Sequence, residues 1–293
     1  IYMDNTKKAR VIAFYLPQFH PIPENDRWWG KGFTEWTNVG KAKPLFKGHY
    51  QPRVPADLGY YDLRMPEVRE AQAKMAREAG IEGFCYWHYW FGNGKTLLER
   101  PFQEVLSSGK PDFPFCLGWA NHSWTNKSWE AGTKRIKEST LVEMVYNKEE
   151  YVKHFYEVLP AFKDERYIQV DGKPLFLVFR PLEITDPHVF IDIWQELAKK
   201  SGLKGIYFVG IAHNMLPQDL TFKNILLKNA SDNSAFNYNS VLNAGYDAVN
   251  SRGYNRADYY SRSLIDFLWR GICLRAFKYA PISKCCLLYT SPS

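Results

Sequence analysis

The sequence contains no run of residues that is long and apolar enough to span a bilayer, and no long block of lysine or arginine. Its 293 residues include 38 lysine and arginine residues and 31 aspartate and glutamate residues, and these charges are dispersed. We therefore expect no integral membrane segment and no nucleic-acid partner. The net charge of +7 leaves open a peripheral association with a membrane or an attraction to an anionic substrate.

Cysteine is scarce, and its five positions lack the spacing of a metal site. Cys85 and Cys116 lie in apolar, strand-like runs, where a reduced and buried thiol is typical. The sequence also lacks a glycine-rich phosphate-binding turn and a Ser/His/Asp arrangement. We therefore expect no metal and no other cofactor, and the reduced cysteines favour a cytoplasmic location.

Segments with the patterns of strands and helices alternate along the chain. The predicted strands are residues 11–16, 81–90, 113–120, 175–180, 206–212 and 246–250, and the predicted helices are residues 65–79, 97–107, 148–162, 187–201, 220–228 and 261–279. Strand–helix units of this length predict a parallel sheet covered by helices. A doubly wound open sheet and a (β/α)8 TIM barrel both fit. The missing phosphate-binding turn disfavours the first, and polar and aromatic residues at the strand ends favour the barrel.

About six of the eight units of such a barrel are visible, so we expect a C-terminal truncation and about two further units after Lys284. Residues 10–284 are assigned to this incomplete (β/α)8 domain. The segment 286–293 can be encoded by codons that resemble a transposon end sequence used as a sequencing adapter. We hypothesise that residues 285–293 are a non-native, adapter-derived tail.

The first predicted strand leads into a stretch that is rich in both polar and aromatic side chains. Gln18 and His20 follow the strand, and a predicted loop over residues 25–38 comes next. The loop carries Asp26, Trp28, Trp29, Glu35 and Trp36. Indole rings stack on the C–H surface of a pyranose, while amide, imidazole and carboxyl groups form hydrogen bonds with its hydroxyl groups. These residues predict a carbohydrate-binding site, and a surface loop with buried tryptophans is the alternative.

The second predicted strand carries five consecutive aromatic or histidine side chains. Because side chains alternate along a strand, Tyr86, His88 and Trp90 share one face, and Trp87 and Tyr89 share the other. One set faces the barrel interior and the other packs under a helix, and the sequence leaves open which. We assign Tyr86, His88 and Trp90 to substrate binding, with a structural role for His88 as an equal alternative.

Two further strand ends contribute candidate ligands for a sugar. After the third strand these are Trp119, Asn121, His122 and Trp124. Arg180 follows the fourth strand, as a partner for a carboxylate or a phosphate or, equally well, in a structural ion pair. Glu35 and Glu130 are the acids embedded in the aromatic clusters and are the candidates for catalysis. The main catalytic residues stay unassigned, because nothing in the sequence marks either acid as a nucleophile.

Four motifs, at residues 15–26, 28–39, 83–91 and 117–121, resemble the WbsX-type bacterial glycosyltransferase family. The resemblance extends over about residues 10–278. This family is associated with the synthesis of lipopolysaccharide O-antigen and other surface polysaccharides. It is related to endo-α-1,2-mannosidase-like glycoside hydrolases, which have a (β/α)8 barrel. The resemblance therefore implies a carbohydrate-active enzyme whose partner is a glycan or a sugar-linked substrate.

The chain departs from the family pattern at two places. His122 stands where the family usually has glutamate. The C-terminal Asn-Glu-Trp-x-Glu-Gly motif, which supplies the catalytic acids of the hydrolase relatives, is absent. The resemblance thus implies that the main catalytic carboxylates lie beyond the C-terminus and that this chain is inactive by itself.

The resemblance favours a glycosyltransferase of lipopolysaccharide or surface polysaccharide synthesis. The first alternative is an endo-acting glycoside hydrolase of the endo-α-mannosidase type. The second is a barrel that binds glycans without catalysis.

Overall fold

The computed structural model describes residues 9–126, 139–212 and 239–251. The strands are β1 (Ile12–Tyr15), β2 (Gly83–Gly92), β3 (Lys95–Leu97), β4 (Phe115–Trp119), β5 (Trp124–Thr125), β6 (Thr140–Val142), β7 (Gln169–Val170), β8 (Lys173–Val178), β9 (Tyr207–Ala212) and β10 (Ala248–Ser251). The helices are α1 (Pro23–Trp29), α2 (Glu35–Lys41), α3 (Pro66–Glu78), α4 (Arg100–Ser108), α5 (Lys148–Phe162) and α6 (Pro187–Lys200).

Six of these strands form a parallel sheet in the order β1-β2-β4-β8-β9-β10, which is also their order in the chain. β3 and β7 add antiparallel to β2 and β8, and β5 pairs with β6 in a separate ribbon. A doubly wound sheet reverses its strand order, whereas this sheet winds in one direction and curls into a half-barrel. The predicted parallel α/β fold is confirmed, while the closed barrel and its number of units stay predictions.

The parallel register aligns side chains in rows across the sheet. One row faces the helices and consists of Tyr15, Tyr86, Leu117, Phe176 and Phe208. Behind it lies Trp194 of α6, which is fully buried, and its ring centroid lies 4.8 Å from that of Phe176. Aromatic rings dominate this layer, and their burial supplies much of the hydrophobic stabilisation of the sheet.

The opposite face of the sheet, which we call the inner face, contains both described cysteines. Cys85 and Cys116 are cross-strand neighbours, and both are free and buried, as predicted. Burial raises the pKa of the Cys85 thiol, so it stays protonated at neutral pH. Gly118 follows on β4 opposite Trp87, where a side chain would meet the indole ring at 3.3 Å.

Three helices lie where their sequence signals predicted them. α3 and α6 begin with a proline in the first turn, where the missing N–H leaves no hydrogen bond unmade. The N-terminus of α5 is capped by Asn147, whose side chain accepts from the backbone N–H of Glu150 at 2.8 Å. The predictions for residues 220–228 and 261–279 lie outside the described residues.

Two predicted boundaries were wrong. The stretch 25–38 is not one continuous loop. Helix α1 begins at Pro23, and the N-terminus of α2 is stabilised by a capping box between Thr34 and Thr37. Helix α4 begins three residues later than predicted, because Lys95–Leu97 pairs with β2 through a tight turn in which Asn93 has a φ of 52°.

Gly83 provides a test of the packing between β2 and its neighbours. A Cβ atom at Gly83 would lie 2.4 Å from the carbonyl oxygen of Pro114, a backbone atom that cannot rotate away. We expect Gly83→Ala to lower the free energy of unfolding by about 1–3 kcal/mol in urea denaturation. Gly40→Ala is the matched control, since Gly40 lies in α2 with no atom within 4 Å of the added methyl group. This control should be neutral or stabilising, and equal losses at both positions would contradict the packing argument.

Candidate functional site

Four polar side chains are buried where β1 ends and in the two short helices that follow. They are Gln18, His20, Asn25 and Glu35, and we call them the polar cluster. The backbone N–H of Glu35 donates to the carbonyl oxygen of Gln18 at 3.2 Å, which joins the start of α2 to the end of the strand. The cluster therefore belongs to the carboxyl edge of the parallel sheet, where barrels of this class place their sites.

Several atoms of the polar cluster have no hydrogen-bond partner among the described residues. They are Oε1 of Gln18, Nε2 of His20, and both Oδ1 and Nδ2 of Asn25. Leaving such a buried group unsatisfied costs about 1–3 kcal/mol, so these atoms are suited to hydrogen bonds with the hydroxyl groups of a ligand.

The proton of His20 can be placed from its contacts. Nδ1 lies 2.6 Å from the carbonyl oxygen of Pro17, which can only accept, so Nδ1 carries the proton. Burial lowers the pKa of the ring, which keeps His20 neutral and leaves Nε2 as an acceptor. His20 can therefore accept a hydrogen bond from a hydroxyl group.

Glu35 is the carboxyl group of the cluster. Its burial raises its pKa, and a side-chain hydrogen bond with Asn38 opposes that shift in part. A carboxyl group that retains its proton to a higher pH is closer to the range in which a general acid works.

An aromatic cluster is connected to the polar cluster through α1. The ring of Trp124 lies edge-on to Trp28 at 6.0 Å, to Tyr89 at 5.3 Å and to Phe91 at 5.6 Å between centroids. Asn25 and Trp28 are three residues apart on α1, which places them on the same side of that helix. The helix is held to the β2–β3 hairpin by an ion pair between Glu24 and Lys95 at 2.9 Å. Polar and apolar groups thus meet at one strand edge.

The structure decides which face of β2 carries which aromatic residues. Tyr86 contacts Phe102 of α4 and Trp90 stacks on His154 of α5, so the assigned set Tyr86, His88 and Trp90 faces the helices. Trp87 and Tyr89 lie on the inner face with the site. Trp87 stacks on Phe14 of β1, with centroids 4.9 Å apart and ring planes 4° from parallel. The alternation pattern left both assignments open and could not have selected Trp87 and Tyr89.

The half-buried His88 forms a pair with the buried His154 of α5. The two Nε2 atoms are 3.0 Å apart, and the ring planes lie within 18° of parallel. One Nε2 donates a hydrogen bond and the other accepts it, an arrangement that is possible when both rings are neutral. Burial lowers both pKa values, that of His88 to about 4. This is the structural role that the sequence left as the alternative for His88.

The ends of β4 and β8 are tied together by Asn121. Its Oδ1 accepts from the backbone N–H of Arg180 at 2.7 Å, and its Nδ2 donates to the carbonyl oxygen of Arg180 at 2.9 Å. The guanidinium group of Arg180 forms an ion pair with Glu183. Asn121 and Arg180 therefore connect two neighbouring strand ends, and their polar groups have hydrogen-bond or ion-pair partners within the protein. Substrate contacts by either residue stay a prediction.

The remaining candidates lie in different surroundings. The indole N–H of Trp119 donates to the carbonyl oxygen of Trp90 at 2.8 Å, and that of Trp36 donates to the carbonyl oxygen of Tyr61 at 2.8 Å. Asp26 accepts from the backbone N–H of Gly32 at 2.9 Å. His122 packs against Phe179, and Trp29 lies 6.1 Å from Phe33. Glu130 lies outside the described residues.

The structure thus brings Gln18, His20, Glu35, Trp28 and Trp124 to one edge of the sheet, and it places Tyr86, His88, Trp90 and Trp119 in the helix-facing layer. A cavity of about 570 Å³ lies elsewhere, between β1, α3 and residues 55–63, and its lining includes none of the polar cluster. Among the described residues, no group of three or more histidine, cysteine or acidic side chains is placed to hold a metal ion. No helix in the described ranges is long and apolar enough to cross a membrane.

A one-directional parallel sheet with polar and aromatic residues at its carboxyl edge is the arrangement of barrel proteins that bind small polar ligands. Residues 11–280 match the profile of the family described as Glycosyltransferase WbsX, and the chain belongs to that family. The resemblance inferred from the four motifs is confirmed.

Two curated relatives are proteins named WxcX from strains of Xanthomonas campestris pv. campestris, both described as uncharacterized. This chain is 42% identical to one over 207 residues and 42% identical to the other over 205 residues. The matches cover 71% and 70% of this chain but 29% of each relative. The chain thus spans less than a third of the length of these relatives.

Two solved structures show a weaker likeness. A GH99 endo-alpha-mannosidase from Bacteroides thetaiotaomicron is 15% identical, with a TM-score of 0.40, and the match covers 69% of this chain and 55% of that one. A glycoside hydrolase-like protein is 14% identical, with a TM-score of 0.42, over 78% of this chain and 68% of that one. Scores this low do not establish a common fold.

The histidine pair predicts how stability depends on pH. An unfolded histidine binds a proton near its ordinary pKa of 6.5, whereas His88 in the folded protein does so only near 4. Stability is therefore retained above pH 6.5 and falls as the pH drops from 6.5 towards 4, because the unfolded state then binds more protons. We expect a loss of about 1.4 kcal/mol per pH unit for each histidine, measured by urea denaturation across this range.

Substituting one partner tests this assignment. His154→Phe should make the fall in stability shallower, because it removes the fully buried imidazole of the pair. Replacement of the exposed His188 by Gln is the control and should leave the slope unchanged. A slope that is the same in all three proteins would contradict the role of the pair.

Proposed function

We propose that this chain forms the sugar-binding part of a carbohydrate-active enzyme, specifically a glycosyltransferase of lipopolysaccharide O-antigen or other surface polysaccharide synthesis. The observation that carries the proposal is the polar cluster with its unpartnered buried atoms beside the aromatic cluster. Family membership supports the same class of substrate.

The two clusters suit the two kinds of surface that a sugar presents. Oε1 of Gln18 and Nε2 of His20 can accept hydrogen bonds from hydroxyl groups, and the amide of Asn25 can both donate and accept. The half-buried ring of Trp28 can stack on the C–H face of the pyranose. Hydrogen bonds in so buried a site are stronger than hydrogen bonds exposed to water.

Transfer at an anomeric carbon passes through an oxocarbenium-like transition state and uses carboxyl groups beside the scissile bond. Glu35 is the described candidate for such a group, since its raised pKa favours proton donation to a leaving oxygen. Glu130 is the second candidate. By resemblance, the main catalytic acids belong to the C-terminal motif that this chain lacks.

An endo-acting glycoside hydrolase is the second candidate function, and the strand order favours it. Open sheets that bind nucleotides do so where the strand order reverses, and the six-stranded path described here has no reversal. A hydrolase, or a transferase that uses a glycan as donor, needs no nucleotide site. The same sugar-binding clusters would serve either reaction.

Trp28 tests the sugar-binding part of the proposal. We expect Trp28→Ala to weaken the binding of the chain to its glycan by about tenfold or more, because the stacking surface beside Trp124 is lost. Calorimetric titration with α-mannans and with fragments of bacterial surface polysaccharides measures this effect. Tyr156→Ala, an exposed aromatic change on α5, is the control. Equal affinities of both variants and the unaltered chain would refute the assignment of Trp28.

The donor requirement separates transfer from hydrolysis. The full-length protein is incubated with α-mannans alone and with α-mannans plus nucleotide sugars. A transferase that uses nucleotide sugars is expected to extend the glycan only when the donor is present. New reducing ends without any donor would contradict the transferase and support the hydrolase.

A further inference from the structure

Positive charge is concentrated on one surface segment, although the charges of the chain as a whole are dispersed. No aspartate or glutamate occurs between Glu35 and Asp57. Within that interval lie Lys41, Lys43, Lys47 and Arg53, and all four side chains are exposed. Residues 41–60, which we call the basic loop, therefore carry four cations against the single carboxylate of Asp57.

The same loop exposes large apolar side chains. The exposed fractions are 48% for Leu45, 60% for Tyr50, 59% for Val54 and 56% for Tyr60. Isolated exposed apolar residues are common, but these four lie within 16 residues and are interleaved with cations. Such a combination of cations, aromatic rings and aliphatic side chains is typical of surfaces that lie at a membrane interface.

The basic loop has an ordered local conformation. Phe46 stacks on His49, with ring centroids 4.7 Å apart, and the guanidinium carbon of Arg53 lies 5.5 Å from the ring centroid of Tyr50. The loop leaves α2 at Lys41 and returns to the same helix where Tyr60 packs edge-on against Trp36 at 5.3 Å. Both ends are therefore attached to one helix.

We propose that the basic loop docks on a lipid bilayer that contains anionic lipids. The lysine and arginine side chains are complementary to the negative surface potential of such a bilayer. Leu45 and Val54 can enter the boundary between headgroups and acyl chains, and the rings of Tyr50 and Tyr60 suit the same depth. A nucleic acid or an acidic polysaccharide would leave the exposed aliphatic side chains without a partner, so the bilayer fits both halves of the surface.

The position of the loop would bring the site close to the membrane. α2 has seven residues, so its two ends are about 10 Å apart, with Glu35 of the polar cluster at one end and Lys41 of the basic loop at the other. A site at that distance suits a sugar carried on a membrane lipid. This last step rests on the proposed function, whereas the docking itself does not.

Sedimentation with vesicles tests the docking. The chain is mixed with vesicles of phosphatidylcholine alone and with vesicles of phosphatidylcholine and phosphatidylglycerol. We expect it to sediment with the anionic vesicles and to be released as salt is added. Replacement of Lys41, Lys43 and Lys47 by glutamine should weaken the association on the order of 100-fold, since each cation contributes about fivefold.

The control is a variant that loses the same number of positive charges on another surface. Replacement of Lys199, Lys200 and Lys204 by glutamine removes three exposed cations at the end of α6 and should leave vesicle binding almost unchanged. Leu45→Ser with Tyr50→Ser should weaken binding to anionic vesicles without changing the net charge.

Three results would overturn the docking proposal, and a fourth would come from glycan titration. The first three are no binding to anionic vesicles, equal losses in the two lysine variants, and loop-dependent binding of RNA or an acidic polysaccharide in place of vesicles. Titration of the Lys41, Lys43 and Lys47 variant with glycan distinguishes a failure of the docking proposal from a failure of the sugar-binding proposal. Unchanged glycan affinity with lost vesicle binding supports the docking, and lost glycan affinity with intact vesicle binding contradicts it.

Discussion

The parallel register of β2 against β1 and β4 is the constraint on which the rest of the structure depends. It aligns Phe14, Cys85 and Cys116 on the inner face and Tyr15, Tyr86 and Leu117 on the face that meets the helices. A shift by one residue would exchange these faces and bury Trp87 under the helices. Gly118 provides a physical reason for the observed choice, because the indole ring of Trp87 occupies the space that a side chain there would need.

The sequence was sufficient to predict the regular elements and the class of sheet, but not the orientation of side chains within them. The predicted range of α5 is the observed one because Asn147 caps it, whereas residues 25–38 were predicted as a loop although Thr34 and Thr37 form a capping box. The alternation along β2 does not say which of its two faces meets the helices, and only the contacts with α4 and α5 decide this. The absence of acids between Glu35 and Asp57 was visible in the sequence, but its meaning depends on exposure, which the sequence does not contain.

The polar cluster and the histidine pair differ in how many of their buried polar atoms have hydrogen-bond partners. The Nε2 atoms of His88 and His154 satisfy each other at 3.0 Å, while Nδ1 of His154 has no partner in the described part of the chain. Gln18, His20 and Asn25 are buried and together retain four atoms without partners in the described part of the chain. Because burial without a partner is unfavourable, several such atoms close together in the chain are expected of a binding site.

The two short helices combine both proposed roles. α1 carries Asn25 and Trp28 on one side, and α2 links the end of β1 to the basic loop through a helical span of about 10 Å. A flexible loop of the same length would place neither group reliably, because each additional free residue adds conformational entropy that binding must overcome. On the two proposals taken together, α1 and α2 would matter to function as well as to stability, since α2 would set the distance between a bound sugar and a membrane surface.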